Sequence, residues 1–225
     1  MSRPTPSRVQ WLLGCCFLLF SPIIFAIDVP AVFSDHAVFQ RDLALPVWGT
    51  GDPGSEVTVS FSGQQKTTSV ADDGRWKVTL DPMPASAAGR TMTIAGSDGT
   101  IEVKDILVGE VWLCGGQSNM EWQLRSSMNS EEEIAAGDLP WLRRIKAPHV
   151  LARTPQSDIE TAWEVSTTKT AGNFTAVGTF MARRLHEELG VPIGLLDINW
   201  GGTRAEPWTA TVSMKRHPRF RERVL

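Results

Sequence analysis

The apolar pattern of this sequence changes period near Asp105, and that change constrains the fold more than any other feature. Between Asp28 and about Lys104 polar and apolar residues alternate, as in residues 55–61, 75–80, 91–95 and 100–103. Period-2 alternation puts one set of side chains on a buried face and the other in water, so these segments predict short half-buried strands. Gly51-Asp52-Pro53-Gly54, Asp72-Asp73-Gly74 and Ser97-Asp98-Gly99 supply turns between them. Strands at this spacing predict an antiparallel β-sandwich over residues 28–105. Beyond Asp105 the period-2 pattern gives way to a mostly apolar strand at 106–114, a second strand at 142–147 and a buried strand at 193–198. A helix is predicted over 175–189, with Phe174, Val177, Met181, Leu185 and Leu189 on one face. Thr175 caps its start, and Gly190 with Pro192 ends it. Strand, helix and strand with short connections predict a parallel α/β sheet.

Composition narrows the function. The 225 residues carry a net charge of −3, which argues against nucleic acid as a partner. Arg3 and Arg8 precede an apolar stretch from Trp11 to Phe25 that ends at Ala26. Residues 1–26 therefore read as a secretory signal peptide, and the mature chain is expected to be secreted or periplasmic, with no stable membrane insertion after cleavage. A retained anchor is the weaker alternative, because the stretch is short for a span of about 20 residues. Cys15 and Cys16 fall inside this segment, so Cys114 alone remains and no intramolecular disulfide is expected. Within Val111-Trp112-Leu113-Cys114 it reads as a small buried hydrophobe. No His, Cys, Asp or Glu cluster has metal-ligand spacing, and no metal or other cofactor is expected.

Ligands of open parallel sheets bind at the carboxyl ends of the strands. Two such exits are glycine-rich. The first is Cys114-Gly115-Gly116-Gln117-Ser118-Asn119-Met120, and the second is Trp200-Gly201-Gly202-Thr203. A serine on a tight strand-to-helix turn presents its hydroxyl outward, beside amide donors that lack intrahelical partners. Such donors can hold the oxyanion of a tetrahedral intermediate. On geometry alone a helix-capping serine fits the first motif equally well.

The wider set of residues separates these readings. Gly109-Glu110-Val111-Trp112-Leu113-Cys114-Gly115-Gly116-Gln117-Ser118-Asn119-Met120-Glu121-Trp122 resembles the nucleophile block of the sialate O-acetylesterase family, carbohydrate esterases of SGNH-hydrolase type. The resemblance extends through Ala176-Val177-Gly178, Phe180-Met181-Ala182, Gly194-Leu195-Leu196 and Trp200-Gly201-Gly202-Thr203. It also covers Phe33-Ser34-Asp35-His36, Pro46-Val47-Trp48-Gly49 and Asp73-Gly74-Arg75-Trp76. It implies an α/β fold: an N-terminal antiparallel β-sandwich domain over 28–105, followed over 106–225 by a truncated SGNH, flavodoxin-like three-layer hydrolase domain. It implies Ser118 as nucleophile, oxyanion donation from Ser118 and from Gly201 or Gly202, and Gln117 and Asn119 beside the substrate. The implied partner is an O-acetylated carbohydrate, with sialic acids as the namesake.

One part of the family pattern is missing. A serine hydroxyl needs a base, and in this family the base lies in a late Asp-x-x-His block. Three residues before His36, His149, His186 and His217 stand Phe33, Lys146, Arg183 and Met214, none a carboxylate. The sequence is therefore expected to lack the catalytic histidine. A second function class follows, a catalytically incomplete fragment acting as a carbohydrate-binding or interaction module, with Trp48 and Trp76 either stacking on sugars or filling the core.

Overall fold

The computed structural model describes residues 26–220; the segment read as a signal peptide lies, Ala26 apart, outside them. The strands are β1 (Val38–Gln40), β2 (Leu45–Thr50), β3 (Glu56–Phe61), β4 (Gln64–Ser69), β5 (Arg75–Leu80), β6 (Ser86–Gly96), β7 (Gly99–Gly116), β8 (Leu139–Lys146), β9 (Trp163–Ser166) and β10 (Ile193–Asn199). The helices are α1 (Ser118–Glu121), α2 (Ser130–Ala135), α3 (Ala176–Leu189) and α4 (Thr211–Arg216). The architecture is mixed α/β, dominated by one eight-stranded sheet in the order β4-β3-β6-β7-β10-β8-β9, with β1 also on β7. A separate pair, β2-β5, faces its antiparallel end.

Alternation works as anticipated. In β3 Val57, Val59 and Phe61 point inward, and in β5 Trp76, Val78 and Leu80 do so. They meet Met92, Ile94, Val103 and Ile106 to form the larger core, between β2-β5 and the main sheet. Strand β4 is wholly polar, which hid it from a hydrophobic pattern. Its pairing is imposed by a two-residue turn: Ser62 and Gly63 both have positive φ, 53° and 79°, the geometry of a tight β-hairpin.

The segments read as two strands, 100–103 and 106–114, are one strand of 18 residues. Its first half pairs antiparallel with β6 and its second half parallel with β10. The change of period marks a change of neighbours, not a break in the backbone. Asp105 occupies the joint with φ 54°. Its carboxylate accepts from the buried Arg143 at 2.9 Å and meets His36 Nδ1 at 2.8 Å. Burial alone would raise its pKa, but the bonds from His36 and Arg143 outweigh this and hold it below the usual carboxylate value.

Helix α3 has the anticipated extent, with the Thr175 hydroxyl accepting from Gly178 N–H at 3.4 Å and Gly190 at φ 67°. Its buried face differs. Phe174, Met181 and Leu185 pack into the core, but Val177 and Leu189 are exposed, while Ala176, Gly178, Thr179 and Ala182 are buried. The helix sits too close to the sheet for large side chains along that line. A Cβ at Gly178 would lie 3.1 Å from both Cys114 Sγ and Leu195 Cδ1. The second core, built from Cys114, Leu142, Phe174, Ile193 and Leu195, therefore covers one face of the parallel strands. On the opposite face Leu113, Leu196 and Ile145 align in register, and Leu113 is 62% exposed.

Candidate active site

Strands β7 and β10 run parallel and end together, with Asn199 opposite Gly116 and Trp200 N–H bonded to Gly116 O at 2.9 Å. This register brings the two glycine-rich exits side by side. Gly116, at φ 139°, turns the chain sharply off the strand. Ser118 then begins the single turn α1, closed by Glu121 N–H to Gln117 O at 3.0 Å and Trp122 N–H to Ser118 O at 2.9 Å. The Ser118 and Asn119 amides come first in this turn and have no acceptor within it. Gln117, Ser118 and Asn119 are all exposed, and Ser118 Oγ lies 3.3 Å from Gln117 Oε1.

Gly201 backs directly onto this turn: a Cβ placed there would lie 3.6 Å from Ser118 Cα. Ser118 and Gly201 line an open depression of about 370 Å³ with Glu121, Trp122, Gln123 and Ser126. Gly202 has φ 75° and open space around it. The structure thus brings the Gln117-Ser118-Asn119 turn and Gly201 together, while Gly202 is not among the residues that line the depression. The Gly201 N–H already donates to Glu121 Oε2 at 2.5 Å. An oxyanion using this amide would have to displace that carboxylate.

Glu121 and His149 converge here. The second oxygen of Glu121 lies 3.0 Å from His149 Nε2, which also meets Asn199 O at 3.1 Å. Both partners are acceptors, so Nε2 carries the proton. The imidazole stacks on Trp200 with centroids 4.5 Å apart and planes 5° from parallel. His149 is therefore a brace across the end of β10. Among the described residues no histidine bonds Ser118 Oγ, whose side-chain partner is Gln117. His149 follows the carboxyl end of β8, a third parallel strand exit, with Lys146 three residues before it in place of a carboxylate.

Beneath the depression lies a buried polar network. Asn199, 2% exposed, donates from Nδ2 to Cys114 O at 3.3 Å and Met120 O at 3.2 Å, tying β10 to the Ser118 turn. The same amide bonds Asp197, and Lys146 donates to its oxygen. Burial pushes the Asp197 carboxyl above its usual value, opposed by Lys146 and Arg144 at 3.7 and 3.5 Å. Cys114 is buried, and burial together with the Asp197 charge raises its thiol pKa to about 11, so it is an inert packing group at neutral pH. Among the described residues no group of three or more His, Cys, Asp or Glu is placed to hold a metal ion.

No family model matches the chain. Among curated proteins it is 34% identical over 200 residues to the sialate O-acetylesterase of Mus musculus, covering 80% of this chain and 37% of that protein. Over four fifths of its length the chain resembles the sialate O-acetylesterases. The human sialate O-acetylesterase is 33% identical over 201 residues, covering 81% of the chain and 38% of its own length. The chain thus spans under two fifths of the length of these sialate O-acetylesterases. A solved carbohydrate acetylesterase from Xanthomonas citri superposes with TM-score 0.82 at 38% identity, over 84% of this chain and 44% of that one.

Proposed function

We propose that this chain carries the nucleophile and part of the oxyanion site of a secreted or periplasmic serine esterase that removes O-acetyl groups from carbohydrates. The observation that carries the reading is the exposed Ser118 at the head of α1 with Gly201 packed against its Cα. In this reading residues 28–105 form a β-sandwich accessory domain, and residues 106–225 belong to an SGNH-type three-layer domain. Ser118 Oγ attacks the acetyl carbonyl carbon, and the Ser118 amide takes up charge on the carbonyl oxygen. The Gly201 amide joins it once the acyl oxygen replaces the Glu121 carboxylate. Collapse of the tetrahedral adduct breaks the bond to the sugar oxygen, which leaves protonated as a free hydroxyl. Water then attacks the acetyl-serine, releasing acetate and restoring Ser118. A base is needed for both steps, and an Asp-x-x-His segment supplies it in this reading. The names of the relatives support acetylated carbohydrates as the substrate class, with O-acetylated sialic acids as the first candidates.

The test compares the chain alone with a fusion carrying an Asp-x-x-His segment after Leu225. The expected result is acetate release from 4-nitrophenyl acetate and from O-acetylated sialic acid by the fusion, abolished by Ser118→Ala. Activity surviving that substitution would reject Ser118 as nucleophile.

A further inference from the structure

A second concave site shares no lining residue with the Ser118 depression. The two tryptophans of the β2-β5 pair have opposite fates. Trp76 is 3% exposed and donates its indole N–H to Thr50 O at 3.0 Å, so it belongs to the core. Trp48 points outward and is 40% exposed. It is not loose: Phe33 and Trp48 pack in a T-shaped pair with centroids 4.6 Å apart and planes at 79°. Trp48 lines a cleft of about 840 Å³ between the outer surface of β2-β5 and residues 155–158. That volume lies within the range of small-molecule sites.

The surroundings of the indole specify a ligand chemistry. Register places Lys77 directly opposite Trp48 and Arg75 opposite Thr50, all four on the outer face. Among the described residues Lys77 has no carboxylate within ion-pair distance, and Arg75 meets only Asp73, at 4.0 Å. Ser69, Gln156 and Ser157 add further donors and acceptors to the walls. The charges are of both signs, since Asp28, Asp73 and Asp158 stand against Arg75 and Lys77. A cleft of this kind selects neither a polyanion nor a cation. It suits a molecule with an apolar ring face and hydroxyls that both donate and accept, because the indole matches the first and the mixed walls match the second. We propose that a saccharide ring binds in this cleft, stacked on Trp48 and hydrogen-bonded by Lys77, Arg75 and Thr50. The site is separate from Ser118 and does not depend on its chemistry.

The experiment titrates the purified chain with xylotetraose, a neutral probe, and with a sialic acid trisaccharide, an acidic one, followed by calorimetry and tryptophan fluorescence. Saturable binding of either is expected, with Trp48→Ala weakening it by roughly tenfold or more. Lys77→Ala should weaken it less, Trp48→Phe should retain part of it, and Ser118→Ala should leave it unchanged. Should Trp48→Ala fail to fold, Trp48→Phe and Lys77→Ala decide the matter: binding at wild-type strength in both overturns the site. Absence of saturation with both probes overturns it, and so does loss of binding in Ser118→Ala, which would place the sugar in the other depression.

Discussion

At the scale of single residues, the Glu121 carboxylate governs the candidate oxyanion site. It joins α1 to the loop after β10 through Gly201 N–H and holds His149 with its other oxygen. Hydrogen bonds to charged groups contribute about 1.5–3 kcal/mol. Glu121→Ala is therefore expected to speed hydrogen exchange at the Gly201 amide by roughly tenfold or more. Exchange at the wild-type rate would show that the contact is not formed in solution. That the two glycine-rich exits lie side by side was legible, because parallel strands end on the same side of their sheet; the roles of Ser118, Gln117, Asn119 and Gly201 are what the family resemblance implies. The contact between Glu121 and His149 was not legible, because it depends on which strands are neighbours. In the chain they are 28 positions apart, and the parallel pairing of β10 with both β7 and β8 brings them together.

Elements show the same division between local and non-local information. Strand β5 and the limits of α3 could be read directly, since alternation and capping are properties of adjacent residues. The buried line of α3 could not, because it reflects how closely the sheet approaches. Gly178 tests this. In an exposed helix Gly→Ala stabilises by about 1 kcal/mol. Here the new methyl would sit 2.6 Å from Thr175 Cγ2, and overpacking costs about 1–3 kcal/mol. Gly178→Ala is expected to lower stability to chemical denaturation by about 1 kcal/mol. A gain in stability would mean that helix and sheet are further apart than described. Strand β4 marks the limit in the other direction: six polar residues become a strand because the Ser62-Gly63 turn folds them onto β3.

For the whole molecule, the uneven cover of the parallel strands has a measurable result. Leu113, Leu196 and Ile145 align on the face opposite α3, where Ile145 is buried, Leu196 half-buried and Leu113 at the end of the row exposed, and exposed apolar surface promotes association. Sedimentation of the isolated chain is expected to depend on concentration, and Leu113→Lys is expected to reduce that dependence; equal behaviour of the two would show that the row is covered. The 18-residue β7 has a different consequence. At about 3.3 Å per residue it spans roughly 60 Å and acts as a shared spine. Melting either end strips a central strand from the other, so neither half has an independent fold to fall back on. Calorimetry should accordingly record a single heat-absorption peak, and two resolved peaks would mean that the spine can part at Asp105.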